Sequence, residues 1–309
     1  MRGLLACLLL FASEIWLWTD PPGRAPLSWV LLLVGYLALS AVLLDFAARY
    51  RIRDGYALLA LAGIFGLLNG LLLNPETALA DVPRTWATRV LGAYTLLGLA
   101  ALLLLLALRR HGSARWLWLF SALSGLLWGV WVQGLPSFTT IAVAVPSLPM
   151  LLTTGGTVLL IAVGSTWLAG RFPAAPRNLR LNLLEWLIVV AGLASQWVIH
   201  RTQIDLISLA VLSGLLVYCW LLLWFEKRDQ TALLDTVMPL QPVAALRLLV
   251  VVVILLAAGG VGYSLPLVDV GLPGLIVGLF AAFGLVWLPT VSLVLGVRSY
   301  RSLGRRQRL

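Results

Sequence analysis

The chain has 309 residues, of which 61% are hydrophobic and only 11% charged, and its mean hydropathy is +1.00. Soluble domains carry about 25% charged residues, so this composition argues against a soluble domain. No polar stretch is long enough for a second domain, which leaves a single integral membrane domain over 1–309. The net charge of +10 is not a nucleic-acid footprint, because the arginines stand in short clusters beside apolar runs, where they set topology and meet anionic headgroups. The expected partners are membrane lipids and other membrane subunits, with no nucleic acid.

A bilayer core needs roughly 17–25 apolar residues per helix, and ten segments qualify in chain order, at about 3–19, 26–46, 55–73, 88–108, 114–134, 149–169, 181–200, 205–225, 245–264 and 272–297. The fold class is therefore all-α, a polytopic membrane protein of about ten transmembrane helices. The first segment is the shortest of them. Leu4-Leu5-Ala6-Cys7 resembles a lipoprotein cleavage box, but too few residues precede Cys7 for a leader. The segment ends in Trp16-Leu17-Trp18 rather than a small-residue cleavage site, so it is expected to stay as a helix. Cys7 and Cys219, the only cysteines, both lie in apolar spans and read as small buried residues rather than a disulfide or metal site.

With the N-terminus in the cytoplasm, Arg2, Arg49, Arg51, Arg53, Arg109, Arg110, Arg115, Arg171, Arg177, Arg180, Lys227, Arg228, Arg247, Arg298, Arg301, Arg305, Arg306 and Arg308 all face inward. Only Arg24, Arg84, Arg89 and Arg201 face outward. Lys and Arg are retained on the cytoplasmic side, so both termini are expected in the cytoplasm. With Lys227 the only lysine among 22 basic residues, the arginine bias fits a GC-rich prokaryote and its inner membrane.

Tryptophan favours the headgroup level. Trp16, Trp18, Trp29, Trp86, Trp128, Trp131 and Trp197 fall at outer span ends, and Trp116, Trp118, Trp167, Trp186, Trp220 and Trp224 at inner ends. Two aromatic belts are the expected reading, with Trp287 the exception beside Pro289, where a kink is expected. Gly66 and Gly70, Gly125 and Gly129, and Gly274 and Gly278 are each four apart, the spacing that lets helix backbones approach.

Thr77-Ala78-Leu79-Ala80-Asp81 recurs as Thr231-Ala232-Leu233-Leu234-Asp235, half a chain length later, between the third and fourth helix of each set of five. Five helices per half would give halves 1–146 and 147–309 opposite orientations, an inverted repeat. The layout resembles the ten-helix drug/metabolite transporter class in length, short loops, cytoplasmic termini and two five-helix halves. It departs from that class's Pro and Glu pattern around the fourth helix of each half. The resemblance implies a carrier whose halves rock about a central ligand.

Ionisable groups inside a bilayer are costly and mark functional sites by default. Glu14, Asp45 and Glu185 all stand near span ends and are expected to reach an interface by snorkelling. The outer half is richer in uncharged polar groups: Asn69, Asn74 and Glu76 follow one another from the third span, and Gln196 precedes His200. Thr154 lies in Thr153-Thr154-Gly155-Gly156-Thr157, where Gly-Gly could unwind the helix or simply pack closely; Gly259-Gly260-Val261-Gly262 is a second candidate break. Substrate-binding residues are therefore expected at Asn69, Asn74, Glu76, Thr154, Gln196 and His200, lining one outward cavity. His111 and His200 fall on opposite sides and cannot share a metal, and no Cys/His/Asp cluster has ligand spacing. His200 with Asp205 reads as either an acid–base pair or a solvated turn. There is no Walker loop, nucleophile elbow or Asp-rich diphosphate motif, so no catalytic residue and no cofactor or metal is assigned. The expected function is a membrane carrier, permease-like, for a small neutral, amphiphilic or lipid-like solute. The alternatives are a non-catalytic membrane subunit of a larger complex and, third, an enzyme acting on a lipid carrier at the outer face.

Overall fold

A computed structural model of the chain describes residues 1–19, 24–109, 115–135, 145–171, 179–201, 204–226, 242–266 and 271–306. All regular structure among these residues is helical. In order they are α1 (Arg2–Leu10, continued by a π-helix Phe11–Trp16), α2 (Pro26–Arg49), α3 (Gly55–Leu68, continued by a π-helix Asn69–Leu73) and the short α4 (Pro75–Ala78). A π-helix Trp86–Tyr94 then leads into α5 (Thr95–Arg109), followed by α6 (Arg115–Gly134), α7 (Leu148–Arg171), α8 (Leu183–His200), α9 (Leu206–Glu226), α10 (Pro242–Ser264) and α11 (Leu272–Arg306). Nine of the helices among the described residues are long and apolar enough to cross a membrane. The protein is an all-α, multi-pass membrane protein.

Local chemistry sets the helix ends. Asp54 caps α3, its Oδ1 accepting from Ala57 N at 2.9 Å, and Asn182 with Glu185 forms a capping box on α8 (2.8 and 3.0 Å). Arg49, Arg109 and Arg171 occupy the last turns of α2, α5 and α7, where a cation complements the helix dipole. Two helices close with a non-glycine residue in the left-handed region: Trp18 (φ 53) after α1 and Arg51 (φ 50) after α2. In both cases the next N–H reaches five residues back, Thr19 N to Glu14 O and Ile52 N to Ala47 O, both 3.1 Å. That is the Schellman closure usually built on glycine.

The first expected span is shorter than a crossing helix. Arg2–Trp16 extends only about 22 Å at 1.5 Å per residue, and every residue from Leu4 to Trp18 is buried. Protein rather than lipid surrounds it, the setting in which irregular backbone at membrane depth is tolerated.

The described chain groups into two compact units, one comprising Met1–Tyr36, Leu103–Arg177 and Met238–Gly278, the other Leu37–Leu102, Asn178–Val237 and Leu279–Leu309. In the first unit, α6 packs along α10 and α10 along α7, with α1 against α7. A Cβ on Gly125 would overlap the Leu255 carbonyl, one on Gly129 the Gly259 carbonyl and one on Gly262 the Leu126 carbonyl. The α6–α10 approach is therefore backbone on backbone, as the Gly125/Gly129 spacing predicts, and Ser121 Oγ donates across it to Val251 O (2.5 Å). Neither glycine run unwinds: α7 and α10 continue through Gly155-Gly156 and Gly259-Gly260, and Gly155 and Gly259 both seat the Trp128 ring.

In the second unit α3 is the central helix, packed against α9 and the Trp86–Tyr94 segment. Gly66 faces Val90 and Thr95, and Gly70 faces Val90, so this pair also serves close approach, whereas Gly278 has open space around it. The second copy of the Thr-Ala-Leu recurrence, 231–235, and His111 lie outside the described residues.

Candidate functional site

Among the described residues the chain leaves regular α-helical geometry at Phe11–Trp16 and Asn69–Leu73, both largely buried, and at Trp86–Tyr94, buried towards its C-terminal end. A π-helix is rare, appears mostly as a single turn inside an α-helix and is frequent at functional sites. Its wider turn misaligns carbonyls, which need donors from elsewhere when no water is present. Each of these segments receives a ring N–H from another helix. Trp128 Nε1 donates to Ile15 O (3.0 Å), a ring nitrogen of His200 meets Leu72 O (3.0 Å), and Trp287 Nε1 donates to Leu91 O (2.8 Å). Trp131 Nε1 adds a bond to Leu17 O (3.1 Å) just past the first segment.

The second unit gathers four of the expected site residues around the Asn69–Leu73 segment. Asn69 is fully buried within it, and Asn74, also buried, ends it, with Asn74 N donating to Asn69 O (2.9 Å) in the five-residue pattern. Asn74 Nδ2 also reaches Asn69 Oδ1 at a long 3.4 Å. The α8 helix packs on this segment and brings the buried Gln196 and the half-buried His200 one turn apart. His200 Nδ1 faces two carbonyls, Leu72 O and Gln196 O (3.1 Å). Two acceptors there require Nδ1 to carry a proton. Asp205 caps α9 by accepting from Ser208 N (3.1 Å) and so performs a helix-end role.

Two neighbours went unflagged in the sequence. Thr77 Oγ1 lies 2.8 Å from the hydroxyl of the fully buried Tyr94 and bonds Asn74 O at 3.3 Å. Thr77 opens the recurring motif, the only signal that pointed at it. Tyr94 had none, since it is a single polar tip in an apolar run. Of the remaining expected site residues, Glu76 is exposed on α4. Thr154 is half-buried on α7, in the first unit, between Thr153 and Gly155. A cavity of about 290 Å³ in the second unit is lined by a different set, around Arg51, Arg53 and Arg298.

The first unit holds a polar centre where the sequence suggests snorkelling. Glu14 is fully buried inside the Phe11–Trp16 segment. It accepts from Tyr36 Oη at 2.5 Å, from Thr19 Oγ1 at 2.6 Å and from Arg24 Nη2 at 2.7 Å. The belt reading also fails for Trp16, Trp18, Trp128 and Trp131, all buried, while Trp116, Trp118, Trp167 and Trp224 are exposed as a belt requires. The reason is chemical: an indole N–H serves a distorted helix carbonyl as well as it serves a headgroup. Asp45, likewise fully buried, holds Arg49 at 3.0 and 3.2 Å and accepts from Leu181 N at 2.7 Å. Glu185 is occupied in its capping box. None of the three acids needs to snorkel.

Comparison with known proteins finds no family model that matches the chain, no similar curated protein and no similar solved structure. The likeness to ten-helix transporters therefore rests on span number and loop length.

Proposed function

We propose that the protein is a membrane carrier, permease-like, for a small neutral, amphiphilic or lipid-like solute, and that Asn69, Asn74, Gln196 and His200 form the core of its binding site. The observation that carries this reading is the burial of two asparagines and a glutamine with an imidazole at a π-helical break. Amides taken into an apolar interior cost several kcal/mol unless hydrogen-bonded, and leucine would fill the same space at no such cost. Broken helices with polar side chains are the usual substrate sites of carriers. Glu76 and Thr154 are further candidate contacts, and halves 1–146 and 147–309 are the proposed inverted repeats. The basic asymmetry supports a prokaryotic inner membrane with both termini in the cytoplasm; labelling of Gly112→Cys and Ser137→Cys from the same side would overturn that orientation.

The test is uptake into proteoliposomes of a fluorescent monoacylglycerol and a set of neutral sugars and amino alcohols. Asn69→Leu and Gln196→Leu should abolish uptake of any probe the wild type moves, with the unfolding midpoint retained. Undiminished uptake in both variants would reduce the cluster to helix packing. One observation favours the second reading, a subunit of a larger membrane complex: only 11% of the Leu183–His200 span is buried, against 78% of Gly55–Leu73. Crosslinking from Ile188→Cys to a second polypeptide in intact membranes would support it; labelling by lipid probes alone would not.

A further inference from the structure

We infer that the cavity at the α2–α3 turn binds a phosphate group, supplied by the headgroup of an anionic phospholipid at the membrane interface. The cavity measures about 290 Å³ and is lined by Tyr50, Arg51, Arg53, Asp54, Leu223 and Arg298, among others. Ligand pockets run from about 300 to 1,000 Å³, so this one takes a phosphate with a glycerol-sized group and excludes an acyl chain.

Charge selects the ligand. Three guanidiniums meet one carboxylate, and that carboxylate is committed twice, to the N–H of Ala57 through Oδ1 (2.9 Å) and to Arg298 through Oδ2. The lining keeps a net positive charge of two, in the planar forks that match phosphate oxygens. The frame is fixed before any ligand arrives. Arg298 is held by Asp54 and lies 5.5 Å from the Tyr56 ring centroid. Tyr50 Oη accepts from Trp220 Nε1 (2.6 Å), so its own hydrogen is not needed there.

The backbone gives a second, independent sign. Arg51 occupies the left-handed position that closes α2, at φ 50, where glycine would be unstrained and a side chain is strained. Strain of that kind clusters at ligand clamps and other functional sites. The position along the helices agrees: the C-terminus of α2, the N-terminus of α3, the last turn of α9 and the Arg298 end of the α11 span all border the cavity. Helix ends mark the headgroup level, and basic pockets between transmembrane helices at that level take anionic headgroups. The asparagine cluster is elsewhere, about 22 Å along α3 at 1.5 Å per residue.

The test follows the unfolding midpoint of the purified full-length protein in nonionic detergent during titration. Phosphatidylglycerol should raise the midpoint saturably, and phosphatidylcholine should not. Arg51→Gln/Arg53→Gln should weaken the apparent phosphatidylglycerol affinity roughly thirtyfold, about fivefold per guanidinium. Arg171→Gln/Arg180→Gln, which removes the same charge elsewhere, should leave it unchanged. Glycerol 3-phosphate or inorganic phosphate saturating at the same concentration, with the same sensitivity to Arg51 and Arg53, would keep the site and make its source a soluble phosphate. Equal affinity in the wild type and the Arg51/Arg53 variant overturns the assignment, as does equal weakening by the Arg171/Arg180 control. If the paired variant does not fold, Arg51→Gln alone decides, with about fivefold weakening expected and an unchanged affinity fatal to the proposal.

Discussion

Glu14 and Asp45 are equally hidden from solvent, each at 0% exposure, yet they are held in unlike ways. Asp45 grips an arginine one turn away on its own helix and a backbone N–H at Leu181, just before α8 begins. That is a clip, which fixes where one helix starts against another. Glu14 sits in a π-helical turn and gathers two hydroxyls and a guanidinium on its two oxygens, from Thr19, Tyr36 and Arg24. Its described donors are all side chains, and two indole N–H groups bond carbonyls of the turn and its end, Ile15 O and Leu17 O. Equal burial therefore does not mean equal role. The local fold around Asp45 can rehydrate its arginine, whereas the donors around Glu14 have been brought into the interior with it.

The sharpest way to break this contrast is to remove each acid. Glu14→Leu removes the acceptor of the Tyr36 hydroxyl, itself fully buried, and leaves Arg24 without its carboxylate. Removing one partner of a buried pair costs about 3–5 kcal/mol, so this variant should show the largest loss in chemical unfolding followed by tryptophan fluorescence. Asp45→Leu should lose about 1.5–3 kcal/mol, the range for a hydrogen bond to a charged group, because Arg49 is 42% exposed and turns to water. A larger loss at Asp45 would mean that the α8 clip, not the Glu14 centre, is the more demanding of the two.

The spans were legible because hydropathy reports length and depth, and among the described residues nine of the ten expected segments are helices long and apolar enough to cross a membrane. Depth also brought Asn69, Asn74, Gln196 and His200 to one level, and the structure joins them through α8. What hydropathy cannot supply is azimuth. Trp128 and Trp116 look alike as span-end indoles, yet the first is wholly buried and the second 67% exposed. The π-helical turns compound this, since each extra residue rotates the following side chains by about 100°. Helix phase counted across Phe11–Trp16 or Trp86–Tyr94 is therefore wrong beyond them. Glu14 was expected at an interface because its azimuth was unreadable, Tyr94 was missed as a single polar tip in an apolar run, and the Arg51–Arg298 cavity was missed because its members lie far apart in sequence and meet only in the fold.

A middle-sized effect probes the turn that carries Glu14. Trp128→Phe keeps most of the ring packed against Phe11 and Gly155 but removes the N–H that serves Ile15 O. Ile15 O keeps the N–H of Trp18 at 3.2 Å, so the loss is that of one hydrogen bond, about 0.5–1.5 kcal/mol. The matching change near Asp45 is Trp186→Phe, on a half-buried ring packed 6.4 Å from Phe46, where no π-helical turn is at stake. It should cost less than about 1 kcal/mol, the area term for a partly exposed contact. Equal losses in the two variants would show that the π-helical turn stands without its indole donors.

The smallest effect lies with one of the two arginines. Arg24 is 22% exposed and Arg49 42%. Arg24 also bonds the carbonyl and hydroxyl of Thr19, each at 3.3 Å, and stacks 5.9 Å from the Trp29 ring centroid. Arg49 makes a bidentate contact with Asp45 alone among the bonds described for it. Exposed pairs contribute about 0.2–1 kcal/mol, and pairs four apart on a helix about 0.3–0.5. Arg49→Gln should therefore stay below about 0.5 kcal/mol and shrink further in high salt. Arg24→Gln should cost more, about 3 kcal/mol, because it leaves the fully enclosed Glu14 carboxylate without its cation, and it should change little with salt. The reverse order would place the main support of Asp45 in its arginine rather than in the Leu181 N–H, and would make the two acids alike after all.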